Sequence, residues 1–382
     1  MRLSCLQENL NRGLAVVGRA VATRTTLPIT QNVLMATDGG MLKLSATNLE
    51  IAITTWVGAM IEEEGSITVP ARLLTEFIAS LPSGTIEFTG TERPKSLSLK
   101  SGRFDARISG TDAEEFPPIP SVSADEGVEI QVNTQDLKAA INQTVFAAAT
   151  EESRPVLTGI KVEVEGDQLT LAAADGFRLA VHRGKVKQAV SEPVSIIIPA
   201  RTLNELNRFL GDQEEAVQML VSSSKAQVLF KVDNIEMVSQ LIQGNFPPYG
   251  DLLADAMKET KSRAVVSLSE LLMASRSASI FARDSSGIIR LQMAPGPDGA
   301  PGQLTISSRA EEIGENTGEV DGDVEGEEAK IAFNSKYLLD VLSAMNTEKV
   351  CLQTSGPSRA GVFKAPDSDQ YLHLVMPMFI NW

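Results

Sequence analysis

Apolar residues recur at spacings of three and four in three short stretches that echo one another: VPARLLTEFIASLP (69–82), IPARTLNELNRFL (198–210) and FNSKYLLDVLSAM (333–345). The spacing predicts a helix in each. In the first, Leu73, Leu74, Phe77, Ile78 and Leu81 form the apolar stripe, leaving Arg72, Glu76 and Ser80 elsewhere. In the second, Leu203, Leu206 and Leu210 form it, and Arg201, Asn204 and Arg208 share another face. Pro70 and Pro199 lie 129 positions apart, and Pro199 and Asn334 lie 135 apart. A period of that length is a whole domain, and three such domains use up all 382 residues.

The order of elements repeats with the period. A helical pattern runs from Leu6 through Leu10, Leu14, Val17 and Val21, and strand-like alternation follows in MLKLSATNLEIAIT (41–54). The first helix of the echoing set comes next, then TIEFTG and SLSLKSGRFDARISG as a hairpin-like pair, then FPPIP at 116–120. The second segment has a helix in NTQDLKAAINQTVFAAA (133–149), with Leu137, Ile141 and Val145 on one side. It continues with strands over 157–181, the second echoing helix, strands in QVLFKVDNIEMVSQL, and FPPYGDLL from Phe246. The third has a helix in SLSELLMASRSASI (267–280), a strand pair, the third echoing helix, and a terminal strand ending HLVMPMFINW. The expected organisation is α+β, three repeated domains of two helices packed on antiparallel sheets, over 1–126, 127–258 and 259–382.

Composition adds limits. With 43% hydrophobic and 22% charged residues the chain reads as an ordinary soluble globular protein, without an apolar run long enough to span a bilayer and without a secretory leader. Cys5 and Cys351 provide no disulfide framework, so a reducing cytoplasm is the expected compartment; His182 and His373 leave little for a histidine metal centre. No phosphate loop, dinucleotide glycine fingerprint, serine elbow or zinc spacing is present, so no enzyme activity and no cofactor are expected. Asp175 invites reading as a catalytic acid, but a turn at a strand end, echoing ATNLEIA at 46–52, accounts for it more simply.

The net charge of −15 argues against a nucleic-acid partner. Much of it is local: residues 311–328, EEIGENTGEVDGDVEGEE, carry nine acids and no base, and read as an insertion-like, solvated loop. DGDVEG imitates the start of a calcium loop, but the twelfth position, where a bidentate carboxylate belongs, is Ala332. Against the acidic total stand arginines on the predicted helices: Arg12 and Arg19, seven apart, with Arg72 and Arg201. Any exposed helix carries such residues singly; their recurrence across repeats is what singles them out.

The chain resembles the bacterial DNA polymerase III beta subunit family of sliding clamps from end to end. The resemblance rests on RTTLPIT (24–30), VPAR (69–72), EEFPPIP (114–120), SRPVLTGI (153–160), AADGFRLAV (173–181), IPAR (198–201), GNFPPY (244–249), FNSKYLLDVL (333–342) and LVMPM (374–378), in order and at matching spacing. It implies clamp domains, a head-to-tail homodimer closing a six-domain ring around double-stranded DNA, helices lining the hole, and sheets forming the outer wall. Acidic outer surface then lies more than a Debye length, about 8 Å at physiological salt, from the DNA. Lysines and arginines on the helices meet phosphates without reading bases.

Residue by residue, the resemblance implies DNA contact at Arg24, and basic positions near the hole at Arg72, Arg154 and Arg201. It implies a pocket where the replicative polymerase, the clamp loader and repair proteins dock short apolar motifs. That pocket would be built from Leu157, Gly176, Phe177, Arg178, Leu179, Pro247 and Leu252, with Asn334, Tyr337, Leu374, Val375, Met376, Pro377 and Met378. Phe177 stands where many members have histidine, and the tail Phe379–Trp382 is longer and more apolar than usual. At the dimer seam, Ile280 and Phe281 match apolar interface positions and Ile108 would face them, unless these residues are buried in their own chain. The alternative function is a peptide-binding repeat scaffold that does not touch DNA, which would have no use for helix arginines in every segment.

Overall fold

The computed structural model describes residues 1–120, 127–151, 153–211, 213–258, 260–283, 285–297, 300–310 and 314–382. Helices α1 (Gln7–Val17), α2 (Ala71–Ser80), α3 (Thr134–Thr144), α4 (Ala200–Asn207), α5 (Gly250–Lys258), α6 (Leu268–Arg283) and α7 (Ser335–Ala344) are joined by antiparallel strands. The strands form two sheets of twelve. Contacts divide the chain into two compact units, residues 1–134 with 208–241, and residues 135–207 with 242–382.

In the first unit the strands run in the order Phe104–Ser109, Lys95–Ser101, Thr85–Glu92, Arg2–Leu6, Ile51–Glu63, Ile235–Gln240, Gln227–Val232, Val217–Ser222, Gly127–Val132. Met41–Thr47, Asn32–Asp38 and Ser66–Pro70 continue from the other edge of Ile51–Glu63. That 13-residue strand is the pivot of the sheet. One edge pairs with Met41–Thr47, while the other is shared, Ile51–Thr55 taking Ile235–Gln240 and the far end taking Arg2–Leu6. α1 lies on it through Leu10, Gly13, Leu14 and Val17; a Cβ on Gly13 would come 2.7 Å from Val57 Cγ2, so only glycine lets the helix approach this closely.

In the second unit the order is Val194–Pro199, Gly159–Glu165, Gln168–Ala174, Arg178–Lys185, Ser368–Val375, Gly361–Ala365, Lys349–Thr354, Ser262–Ser267, Gly314–Gly326, Gly302–Ala310, Ile288–Ala294, Ala329–Asn334. Within it the third helix of the echoing set is capped as its sequence suggests: Asn334 Oδ1 accepts from the amides of Lys336 and Tyr337 at the start of α7. Its stripe Leu338, Val341 and Leu342 is buried.

Several expectations need correcting. Leu6 closes the strand Arg2–Leu6 rather than opening a helix, and α1 tightens to a 3₁₀ turn at Gly18–Ala20. Arg12 therefore lies on α1 and Arg19 in the 3₁₀ turn that follows it. Val145 likewise sits in a 3₁₀ turn after α3. On α2 only Ala71, Leu74 and Ile78 are buried, with Leu81 just beyond; Leu73 is exposed and Phe77 half-buried, so the stripe is narrower than the pattern of five. α5 was not anticipated from FPPYGDLL.

The largest correction concerns the acidic stretch. Residues 311–313 lie outside the described residues, but Gly314–Gly326 is a strand, neither loop nor insertion. It pairs with Gly302–Ala310 along one edge and with Ser262–Ser267, which precedes α6, along part of the other. Ile51–Glu63 pairs in the same way with Arg2–Leu6, which precedes α1. The acidic stretch is the third repeat's copy of the pivot strand. Its carboxylates, Glu315, Glu319, Asp321, Asp323 and Glu325, alternate with inward-facing positions and all stand on the exposed face.

Candidate functional site

A cleft of about 270 Å³ opens in the second unit. Arg154 and Leu157 come from the turn before Gly159–Glu165, and Ala174, Gly176, Arg178 and Leu179 from the hairpin of the second repeat. Phe246, Pro247, Pro248 and Tyr249 precede α5, Leu252 is on α5, and Leu374 and Met376 close the far side. The apolar floor is continuous with the core: Leu179 and Leu374 pack with Val181, Leu253 and Leu372, and Leu157 and Phe246 pack with Ile197. The Tyr249 hydroxyl donates to Glu163 at 2.7 Å; burial, then the neighbouring carboxylate, raise its pKa above the usual tyrosine value, so it remains a neutral donor.

The turn at 175–177 fixes one lip. Asp175 Oδ1 accepts from the amides of Phe177 (2.9 Å) and Arg178 (3.0 Å), which makes Asp175 a turn-former rather than an acid catalyst. Gly176 sits at φ +94°, in the left-handed region that favours glycine, and a Cβ there would lie 3.5 Å from Arg154 Nη1. The Arg178 side chain is 6% exposed. Its Nε donates to Asp175 Oδ2 at 3.0 Å, Nη1 to Asp340 Oδ2 at 2.6 Å and Nη2 to the Phe146 carbonyl at 2.6 Å. The guanidinium lies 4.5 Å from the Tyr337 ring and 5.3 Å from that of Phe146.

Both histidines are structural. His373 is fully buried, its Nδ1 3.0 Å from the Tyr371 hydroxyl, and burial followed by the Arg178 charge lowers its pKa to about 3. His182, bonded to Gln143 at 2.7 Å, is lowered to about 4 by burial against the opposing pull of Asp136. Among the described residues no group of three or more His, Cys, Asp or Glu side chains is arranged to hold a metal ion.

Of the residues expected in a pocket, Leu157, Gly176, Arg178, Leu179, Pro247, Leu252, Leu374 and Met376 line the cleft. Phe177, strongly exposed, stacks on Tyr337 at 6.4 Å and forms a shelf beside it, and its carbonyl accepts from the Met376 amide. Met378 is partly exposed and bonds to the Ala332 carbonyl. Val375 is completely buried and pairs with Arg178, Pro377 is buried, and Asn334 is occupied in capping α7; their contribution is to shape rather than contact. Sequence reasoning missed Ala174, Phe246, Pro248 and Tyr249, although FPPY had been noted as a motif.

The basic residues divide. Arg154 lines the cleft, not a helix face. Arg24 is exposed in the loop before Pro28, and Arg12, Arg19 and Arg201 are exposed on or beside α1 and α4. Arg72 is exposed but donates to Glu76 Oε1 at 2.8 Å, which offsets part of its charge and raises its pKa through that hydrogen bond. The third repeat, for which no base was singled out, shows exposed Arg276 and Arg283 on α6 and Lys336 on α7. At the expected seam Ile280 is exposed and Phe281 half-buried, but Ile108 is buried in its own sheet. The exposed apolar side chain on that strand is Phe104.

A threefold repeat of two helices on antiparallel strands, with a cleft over the second repeat's pivot strand, defines a clamp-type protein. Models of the N-terminal, central and C-terminal domains of the DNA polymerase III beta subunit match residues 1–120, 131–248 and 257–379. The beta sliding clamp of Bacillus subtilis is 30% identical over 99% of both chains, and that of Staphylococcus aureus 32% identical over 94% of both. The crystal structure of the Bacillus subtilis clamp superposes with a TM-score of 0.93 at 29% identity over the whole of both chains. A Pseudomonas aeruginosa clamp bound to griselimycin superposes with a TM-score of 0.90 at 29% identity, again over both whole chains. The chain belongs to the DNA polymerase III beta subunit family. It is a DNA sliding clamp of replication, a processivity factor without catalytic activity.

Proposed function

We propose that two copies of the chain close head to tail around duplex DNA, through the two strand edges that the repeat leaves unfilled. In the first unit Ile51–Thr55 is paired by Ile235–Gln240, the last strand of the next repeat's hairpin set. In the second unit Arg178–Lys185 is paired in the same way by Ser368–Val375. The third pivot strand, Gly314–Gly326, has no strand on that edge over residues 314–318 among the described residues, and Phe104–Ser109, the first repeat's counterpart of Ile235–Gln240, pairs on one side only. This pair of open edges carries the reading: each is the complement of the other, and a head-to-tail contact that closes gives a ring.

Extending the register of Ile235 with Thr55 puts Phe104 opposite Gly318, Ala106 opposite Asn316 and Ile108 opposite Gly314. Those three point toward α6, where the glycines leave room and Ile280 and Phe281 stand nearby. On the opposite face Arg107 meets Glu315. Arg24, Arg12, Arg72, Arg201, Arg276 and Lys336 serve as sequence-blind phosphate contacts. The cleft takes short apolar segments of the replicative polymerase and other partners, with Leu157, Leu179, Leu252 and Leu374 as walls. The domain boundaries that fit this scheme are 1–126, 127–258 and 259–382, and the compartment is that of the replication machinery, the cytoplasm. Among the described residues no helix is long and apolar enough to cross a membrane. Nothing observed favours a scaffold that ignores DNA.

The test is negative-stain imaging beside a solution mass. A hollow particle at twice the 41.0 kDa chain mass is expected. A solid particle that stays at monomer mass at high concentration would refute the ring.

A further inference from the structure

Arg178 lines the cleft and bonds to two residues, Phe146 and Asp340, that border a second cavity. This is a groove of about 830 Å³ bounded by Lys138 and Asn142 of α3, by Phe146, and by Asp340 and Ser343 of α7. Asp340 borders the groove and is absent from the cleft lining, yet its carboxylate receives the shortest ion-pair contact that Arg178 makes to a side chain, 2.6 Å. The other two hydrogen-bond acceptors, Asp175 and the Phe146 carbonyl, come from the second repeat, so Asp340 is the acceptor that the third repeat contributes to the guanidinium, beside the stacked Tyr337 ring. A buried guanidinium is held in one orientation only while its fork of donors is matched by acceptors. Here that orientation also sets the Tyr337 ring, which lies over the guanidinium and carries Phe177 at the cleft's edge.

We propose that Asp340 is a positioning residue for partner-peptide binding: touching no peptide itself, it holds Arg178 and, through Arg178, the Tyr337–Phe177 shelf in the arrangement the cleft needs. The inference rests on the reading of the cleft as the peptide site. Without the carboxylate, Arg178 keeps its second-repeat acceptors but loses its hydrogen-bonded tie to α7, leaving only the Tyr337 stack to hold it there. The guanidinium then turns toward water at the cleft mouth, and the shelf loses the surface it is stacked on.

The probe is a fluorescein-labelled pentapeptide ending in Leu-Phe, whose aliphatic and aromatic side chains suit the apolar cleft, followed by anisotropy on the intact protein. Asp340→Asn is expected to raise Kd roughly tenfold, within the range for residues that modulate binding without touching the ligand. Asp340→Glu should restore Kd to within about twofold, and Tm and dimer mass should stay as in the parent, which a merely structural role would not produce. Asp340→Ser gives the same comparison should the Asn variant fold poorly. Leu252→Asp, which puts a charge on the cleft wall, is the control. Abolished binding in the control together with an unchanged Kd for Asp340→Asn and Asp340→Ser overturns the proposal while leaving the cleft intact as the peptide site. Unchanged binding in the control overturns the cleft reading, and the proposal with it.

Discussion

Strands Arg178–Lys185 and Gly314–Gly326 hold the same place in adjacent repeats and have opposite characters. The first reads RLAVHRGK, is buried along its first five residues, and has both edges filled, by Gln168–Ala174 and Ser368–Val375. The second reads GENTGEVDGDVEG, keeps five carboxylates in solvent, and has one edge open over its first residues. The fold demands only that the backbone be extended at this position. What the side chains add decides whether the edge is closed within the chain, with a cleft built over it, or left for another chain. Charges along an exposed edge also keep it from pairing with the wrong strand, so acidity suits an edge reserved for one complementary partner.

The largest expected separation between the two strands is in their response to acid. The filled junction contains both histidines, His182 on Arg178–Lys185 and His373 on the strand beside it. Their folded pKa values, about 4 and about 3, lie below the ordinary value of 6.5, so the unfolded chain binds more protons than the folded one between those limits. The stability they contribute is complete above pH 6.5 and is lost as pH falls toward the folded values. From pH 7 to pH 5 each histidine should cost about 2 kcal/mol, roughly 4 kcal/mol together, if burial is maintained. Urea unfolding at the two pH values measures this. His373→Gln should remove about half of the pH dependence, and an unchanged slope would show that His373 is not held neutral in the fold.

At the open edge the expected effect falls on assembly instead. Phe104 and Ile280 are both more than half exposed in the single chain. Buried at the seam, each should behave as an interface anchor, and Phe104→Ala with Ile280→Ala together should raise the dimer dissociation constant about 100-fold or more, near 3 kcal/mol. Sedimentation equilibrium gives the number. Tm of a monomeric sample should hardly move, because neither side chain is part of a core. A double variant that remains dimeric at nanomolar concentration would remove these residues from the seam.

The contrast between the two strands also shows what could be read from the chain. Period and most helix positions were legible, because Pro-Ala-Arg at a helix start, FPP turns and apolar spacings are local signals, whereas the cleft residues came only from the resemblance to the sliding-clamp family. The acidic strand was not legible. Propensity and charge over 311–328 point to solvent, and only pairing with residues 302–310 and 262–266 makes residues 314–326 extended. That Arg154 lines the cleft was not legible, because a basic residue in sequence does not say which surface it will reach, and the turn that carries it there is a tertiary arrangement. Phe104 was overlooked beside Ile108 for a simpler reason. Both are apolar on one strand at even spacing, and which end the sheet's own core covers depends on strands about forty residues away.

The smallest effect is the sharpest test of register. In the proposed ladder Arg107 lies opposite Glu315 on the solvent face, a cross-strand pair of the kind worth roughly 0.5–1 kcal/mol. Arg107→Glu puts like charges there and should weaken the dimer a few-fold, more at low salt than at high, since the pair is exposed. Glu315→Arg alone should do the same, and the two together should restore most of the loss. Because side chains alternate between faces, a slip of one residue would bring Arg107 opposite Asn316 or Gly314, neither of them charged. Restoration by the double exchange therefore selects this register over its neighbours. Two single variants whose effects simply add would mean that the edges meet elsewhere, and would leave open what closes residues 314–318.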